Sequence, residues 1–214
     1  MKQLNISENT CENCYQTSTN TTHKHKQKEI IGPCGPCAFI NLIQMIGSFE
    51  LEKQLAEMGR IKPFHACNHL AFLIWGKKFK KELKVFVSSR KLQTTDLNYF
   101  VKYESITKTK IQKYKQLARK WHDKFDKKFS NQINDLENPL QTINELLKQK
   151  YRIAILNKHH WTVILKKEKN NYLLCDSGCG TIFPLTKKVF EYNLKESTTI
   201  IAYKERFISK GVFL

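Results

Sequence analysis

No stretch of the 214 residues approaches the roughly 18 to 20 consecutive apolar residues that span a bilayer, so no transmembrane segment is expected. The opening residues, MKQLNISENT, lack the apolar core of a secretory signal. No internal repeat is present. Acidic residues are scarce: 19 Asp and Glu stand against 37 Lys and Arg, for a net charge of +18. That imbalance predicts attraction to polyanions or acidic partners, or simply a surface of solvated lysines, and says little about fold. The seven cysteines are an odd number, and with no signal peptide they predict reduced thiols in a cytoplasmic, reducing compartment. A chain of this length can bury a core without disulfide staples.

What is present divides the chain. Residues 1–28 are polar, without apolar periodicity, and read as a flexible arm whose one odd feature is Cys11-Glu-Asn-Cys14. From Cys34, the residues Phe39, Leu42, Ile43 and Ile46 recur at helical spacing, with Pro36 in the first turn and Gly47 at the expected end. This tract is apolar nearly all round, which predicts a buried central helix. Helices are expected over 51–58, closed by Gly59, and over 69–75, closed by Gly76; a strand is expected over 83–87. Residues 94–130 read as strongly basic helix, with Ile111, Tyr114, Leu117, Trp121 and Phe125 forming its apolar face. Asn138-Pro139 ends that segment and a helix follows over 140–150. β-rich runs then occupy 153–156, 161–165, 172–174 and 198–202, interrupted by a helix over 186–190. Helices first and an antiparallel sheet after them is an α+β layout.

The tract HHWTVILKKEKNNYLLCDSGCG reads as a hairpin with its turn within 166–170. A loop centred on Glu168 pairs Leu165 with Asn171, Ile164 with Tyr172 and His160 with Asp176. A carboxylate beside an imidazole fixes its tautomer and stabilises its cation. A cysteine at the start of a buried helix completes the set. Helix N-termini and imidazolium ions favour thiolate, lowering a thiol pKa from about 8.5 to roughly 3 to 4 in papain-type pairs. Helix-borne cysteine with sheet-borne histidine and aspartate is the arrangement nucleophilic catalysis requires.

CGPCAFINLIQMIG resembles the nucleophile helix of papain-like cysteine peptidases of the bacteriocin-processing (double-glycine leader) group and their soluble relatives. The resembling residues are Cys34, Gly35, Pro36 and Gly47, then His160-Trp161 before an apolar strand, then Asp176-Ser-Gly-Cys-Gly180, across residues 27–90 and 140–204. The resemblance implies a papain-like cysteine peptidase fold, with an N-terminal helical half whose nucleophile helix packs on a C-terminal antiparallel sheet. It makes 29–204 one domain, with residues 94–138 as a basic insertion and 205–214 as a tail. It implies thiol-dependent hydrolysis or transfer at a peptide or amide bond, on a peptide or protein substrate, with no cofactor and no metal. Cys34 is then the nucleophile, His160 the base and Asp176 its orienting acid. Gln27, the nearest glutamine upstream, takes the oxyanion-hole role. In the papain enzymes proper the second cysteine of a CGSCWAF-like stretch attacks, which points to Cys37; the position of Gly47 fits Cys34.

Two other readings compete. Cys11-x2-Cys14-x19-Cys34-x2-Cys37 matches a four-thiolate zinc template, and with this charge suggests a non-catalytic, nucleic-acid-associated protein. An inactive papain-like module that binds acidic proteins or nucleic acid through the basic insertion is the other. The Cys-Gly-Pro-Cys motif of thioredoxins is matched too, but no strand of sufficient length precedes it here. His65, Cys67 and His69 in FHACNH can be metal ligands, though a helix start with a packed cysteine is the plainer expectation; His122, on a charged helix, is expected in solvent. Cys175 is expected to point into the sheet, Cys179 to be a loop thiol and His159 to face away from His160.

Overall fold

The structure, a computed structural model, describes residues 34–45, 47–59, 69–89, 108–157, 160–176, 182–194 and 197–205. Among the described residues, seven strands form one sheet: β1 (Leu83–Val87), β2 (Ile133–Asp135), β3 (Arg152–Asn157), β4 (His160–Glu168), β5 (Asn171–Asp176), β6 (Ile182–Thr186) and β7 (Ser197–Tyr203). Their order is β2-β1-β7-β3-β4-β5-β6. β1 and β2 are parallel and the other neighbours antiparallel. The described helices are α1 (Cys34–Ile43), α2 (Phe49–Gly59), α3 (His69–Lys78), α4 (Lys108–Phe129), α5 (Pro139–Lys148) and α6 (Lys187–Leu194). This is a mixed α+β fold. No described helix is long and apolar enough to cross a membrane.

Strand side chains alternate between two cores, one on each face of the sheet. Ala154, Trp161, Val163, Ile201 and Tyr203 join α1, α2 and α3 on one side. Ile153, Ile155, Ile164, Ile200 and Ala202 join α5 and α6 on the other. Central strands buried on both faces explain the near-continuous apolar runs of β3 and β7. Phe39 of α1 lies against Phe72, Trp75 and Phe79, with ring centroids 5.9, 5.3 and 5.9 Å away. The fully buried Trp75 donates its indole N–H to the Leu55 carbonyl at 2.8 Å, so its polar atom costs nothing by burial.

The sheet is broader than the C-terminal β-rich runs alone predict. β1 and β2 extend it on one side; β2 lies within the basic segment expected to be an insertion, and that segment also places Phe129 and Ile133 in the core. β6 closes the opposite edge, where Pro184 needs no ladder donor. Residues 94–107 of the expected basic helix lie outside the described residues, as do 1–33, 177–181 and 206–214.

α2 ends at Gly59 as expected, but the ends of α1, α3 and α5 follow hydrogen bonding rather than glycine positions. α1 stops at Ile43, short of Gly47: Met45 N–H donates to Ile40 O at 3.1 Å and Gln44 N–H to Asn41 O at 3.4 Å. α3 ends the same way through Lys81 to Gly76 and Lys80 to Lys77, and α5 through Tyr151 to Leu146 and Lys150 to Leu147. Each is a Schellman closure, in which the penultimate residue turns left-handed. That position holds Gln44, Lys80 and Lys150, at φ 53°, 53° and 62°, where glycine is usual. Gly76 instead lies inside α3, because a Cβ there would come within 2.9 Å of the Lys81 carbonyl.

Candidate active site

Cys34 is the first residue of α1, and no acidic side chain occupies that helix's first turn. The N–H groups and the positive end of the dipole at a helix start favour a thiolate, and no acidic side chain of that turn opposes them. Cys34 is half-buried, whereas Gly35, Pro36 and Cys37 behind it are buried. His160 opens β4 and Asp176 closes β5, so the two lie at the same end of an antiparallel pair. Trp161, next to His160, is buried and packs on the Phe72 ring at 4.4 Å, which fixes the start of β4 against α3.

His160 Nε2 donates to Asp176 Oδ1 at 2.8 Å. An ionised carboxylate only accepts, so the Asp176 bond sets the tautomer and leaves Nδ1 as the other ring nitrogen. The His160 ring also hydrogen-bonds Cys34. Burial disfavours the imidazolium, but the hydrogen bonds with Asp176 and Cys34, and the negative charge of both, outweigh it and push His160 from 6.5 up to about 10. A linear array Cys34–His160–Asp176 thus joins a helix start to a sheet end.

The hairpin register differs from the sequence expectation, and the difference is instructive. The turn is the two-residue Lys169-Asn170, with Glu168 opposite Asn171, and Asp176 stands opposite Thr162 rather than His160. An unbroken ladder from Glu168 and Asn171 would place Asp176 opposite Val163, on the core side with Trp161. A register shift between Ile164 and Lys166 adds one residue to β4 and returns Asp176 to the His160 side. His160 is then its diagonal neighbour, within reach of a side-chain bond. Tight turn and bulge together displace the register by an even number, so the His–Asp pairing survives.

The two thiols of the Cys-x-x-Cys motif have different partners. Cys37 is 8% exposed and hydrogen-bonds Glu52 of α2, itself 2% exposed. Burial drives the Glu52 carboxyl up to about 7, the Cys37 bond opposing the rise. None of Cys34, Cys37 and Cys175 forms a disulfide. Cys175 points into the core as expected and accepts a hydrogen bond from Asn41 Nδ2 at 3.5 Å, tying α1 to β5 beside Asp176. Asn157, opposite His160 across β3 and β4, donates to the Asn193 carbonyl at 3.0 Å. Glu52 and Asn41 escaped sequence reading because each lies in an ordinary helical pattern. Their roles come from what packs against them.

Gln27, Cys11, Cys14, His65, Cys67, His159 and Cys179 fall outside the described residues. The apolar face expected for α4 is rotated in the structure. Leu117 is 46% exposed, while Ala118, His122 and Phe129 are buried and Trp121 and Phe125 lie against the core. His122 is therefore not in solvent: it sits one turn beyond Ala118 on the face that meets α3.

No protein-family model matches the chain. No curated protein matches it. Among solved structures, the peptidase domain of Streptococcus ComA, described as a bifunctional ABC transporter involved in a quorum-sensing pathway, is similar at 14% identity and a TM-score of 0.42. That likeness covers 81% of this chain and 93% of the other.

Proposed function

We propose that this chain is a papain-like cysteine peptidase that cleaves a peptide or amide bond through Cys34, His160 and Asp176. The observation that carries the reading is the hydrogen-bonded array itself. A helix-start thiol, an imidazole and a carboxylate from distant parts of the sequence meet in the order nucleophile, base, orienter. Cys34 attacks the carbonyl carbon as thiolate. His160, carrying the thiol's proton, delivers it to the leaving amine. Water then attacks the thioester, His160 takes its proton, and acid and thiol are regenerated. Asp176 holds the ring with one nitrogen toward the thiol and stabilises its charge. The Cys34 backbone N–H lies at the helix start, suited to the oxyanion, and the resemblance assigns Gln27 beside it.

The different partners of Cys34 and Cys37 favour Cys34 as nucleophile and count against both thiols sharing a metal. The substrate class is peptide or protein. Acyl transfer or glutamine deamidation uses the same groups, differing only in acceptor and side chain. The exposed lysines and arginine of α4, among them Lys113, Arg119, Lys120, Lys124 and Lys127, suit an acidic protein or nucleic acid. A reduced nucleophile suits a cytoplasmic, reducing compartment.

The test is turnover of a peptide library by the purified chain. Activity is expected to vanish in Cys34→Ala and His160→Ala and persist in Cys37→Ala. Loss in Cys37→Ala with retention in Cys34→Ala would reverse the assignment, and activity retained in all three would refute it.

A further inference from the structure

Where α4 meets α3, two buried histidines and a half-buried aspartate form a group that the peptide chemistry does not use. His69 opens α3; His122 and Asp126 lie one turn apart on α4. One ligand atom from each of the three lies within 4.8 Å of the other two. His69 is 5% and His122 6% exposed, and their rings meet edge to face with centroids 6.4 Å apart. His122 Nε2 and Asp126 Oδ1 are buried and have no hydrogen-bond partner among the described residues. Leaving such atoms unpaired in a protein interior is costly, and natural chains rarely do so without a water or an ion.

We propose that His69, His122 and Asp126 bind a divalent transition-metal ion, zinc in the first instance, which fastens the basic helix α4 to α3. Two imidazoles and one carboxylate form a donor set suited to zinc. The i, i+4 spacing of His122 and Asp126 puts both donors on one helix face. Donors of a tetrahedral zinc stand roughly 3.3 to 3.6 Å apart, given bonds of about 2.0 to 2.2 Å. Binding draws the three donors inward from separations of up to 4.8 Å. The Asp123 carboxylate lies 3.6 Å from His122 Nδ1. It favours the tautomer with its proton on Nδ1 and the Nε2 lone pair facing inward, as a carboxylate behind a metal-bound histidine does. The remaining coordination position is water's. Through α3, whose Phe72 and Trp75 pack on Phe39, the ion steadies the layer that carries Cys34.

The inference does not depend on the peptidase reading and is tested without activity. Full-length protein, purified without chelator, is analysed for metal and titrated with zinc and with cobalt(II). The expected result is about one zinc per chain, lost in both His122→Gln and Asp126→Asn. A chelator should lower the melting temperature of the unaltered chain and leave the variants unmoved. The cobalt form should show ligand-field bands without thiolate charge-transfer absorption. Failure to bind zinc, unchanged stoichiometry in the two variants, or a thiolate band would each overturn it. Should either variant fail to fold, the cobalt spectrum and chelator titration of the unaltered chain still decide.

Discussion

Replacing Glu52 by Gln should stabilise the protein at neutral and alkaline pH and not in acid. Glu52 is 2% exposed against α1, and burial raises its carboxyl from 4.5 to about 7, against the pull of the Cys37 bond. Below 4.5 the group is protonated in both folded and unfolded chains and contributes no pH dependence. As pH rises from 4.5 to 7 the unfolded chain loses this proton while the folded chain keeps it, so stability falls. Above 7 the loss is complete. At about 1.4 kcal/mol per pH unit, the interval from 4.5 to about 7 amounts to about 3 kcal/mol. For a chain of this size that is roughly 6 to 12 °C in melting temperature. The assay compares thermal and urea melts of the parent and Glu52→Gln at pH 4 and pH 8. Other groups titrate alike in both proteins, so the change in their difference isolates Glu52. A difference that stays constant between the two pH values would refute the reasoning.

Three more outcomes follow from the same geometry. Glycine at the left-handed positions, in Gln44→Gly, Lys80→Gly or Lys150→Gly, should raise stability by about 0.5 to 1 kcal/mol each, read by urea denaturation, since the side chain there is strained. The His160 ring should stay protonated through neutral pH, and its protonation should fall only near pH 10, read by NMR titration of its imidazole. In Asp176→Ala, which removes one of the two groups raising it, that fall should move toward 6.5, and an unmoved profile would remove Asp176 from the array. Asp176→Ala should also cut peptide turnover roughly 10²- to 10⁴-fold, measured at saturating substrate, because the ring loses its orientation while the thiol remains.

The candidate site was legible because its signals are local. Cys34 stands before an apolar helical period, and His160 and Asp176 flank one hairpin. The hairpin register was read two residues off, since the polar run 166–170 looks like a long loop and hides a two-residue turn plus a bulge. The face assignment survived only because the two deviations sum to an even number. Gly47 and Gly76 misled as helix stops, because a chain rich in lysine places Gln44 and Lys80 where glycine is commoner. β2 and β6 were missed because the first spans three residues and the second, Ile-Phe-Pro-Leu-Thr, shows no apolar alternation in sequence and carries a proline. His122 looked solvated among lysines, and only the packing of α4 on α3 shows it buried.

The central claim is that the Cys34 thiol, held by His160, is the reacting group. The most direct measurement treats the native protein with a limiting amount of a peptidyl epoxide and maps the adduct by mass spectrometry. The account predicts one modification, on Cys34, abolished in His160→Ala and unaffected in Cys37→Ala. An adduct on Cys37, or one on Cys34 formed equally fast without His160, would contradict it.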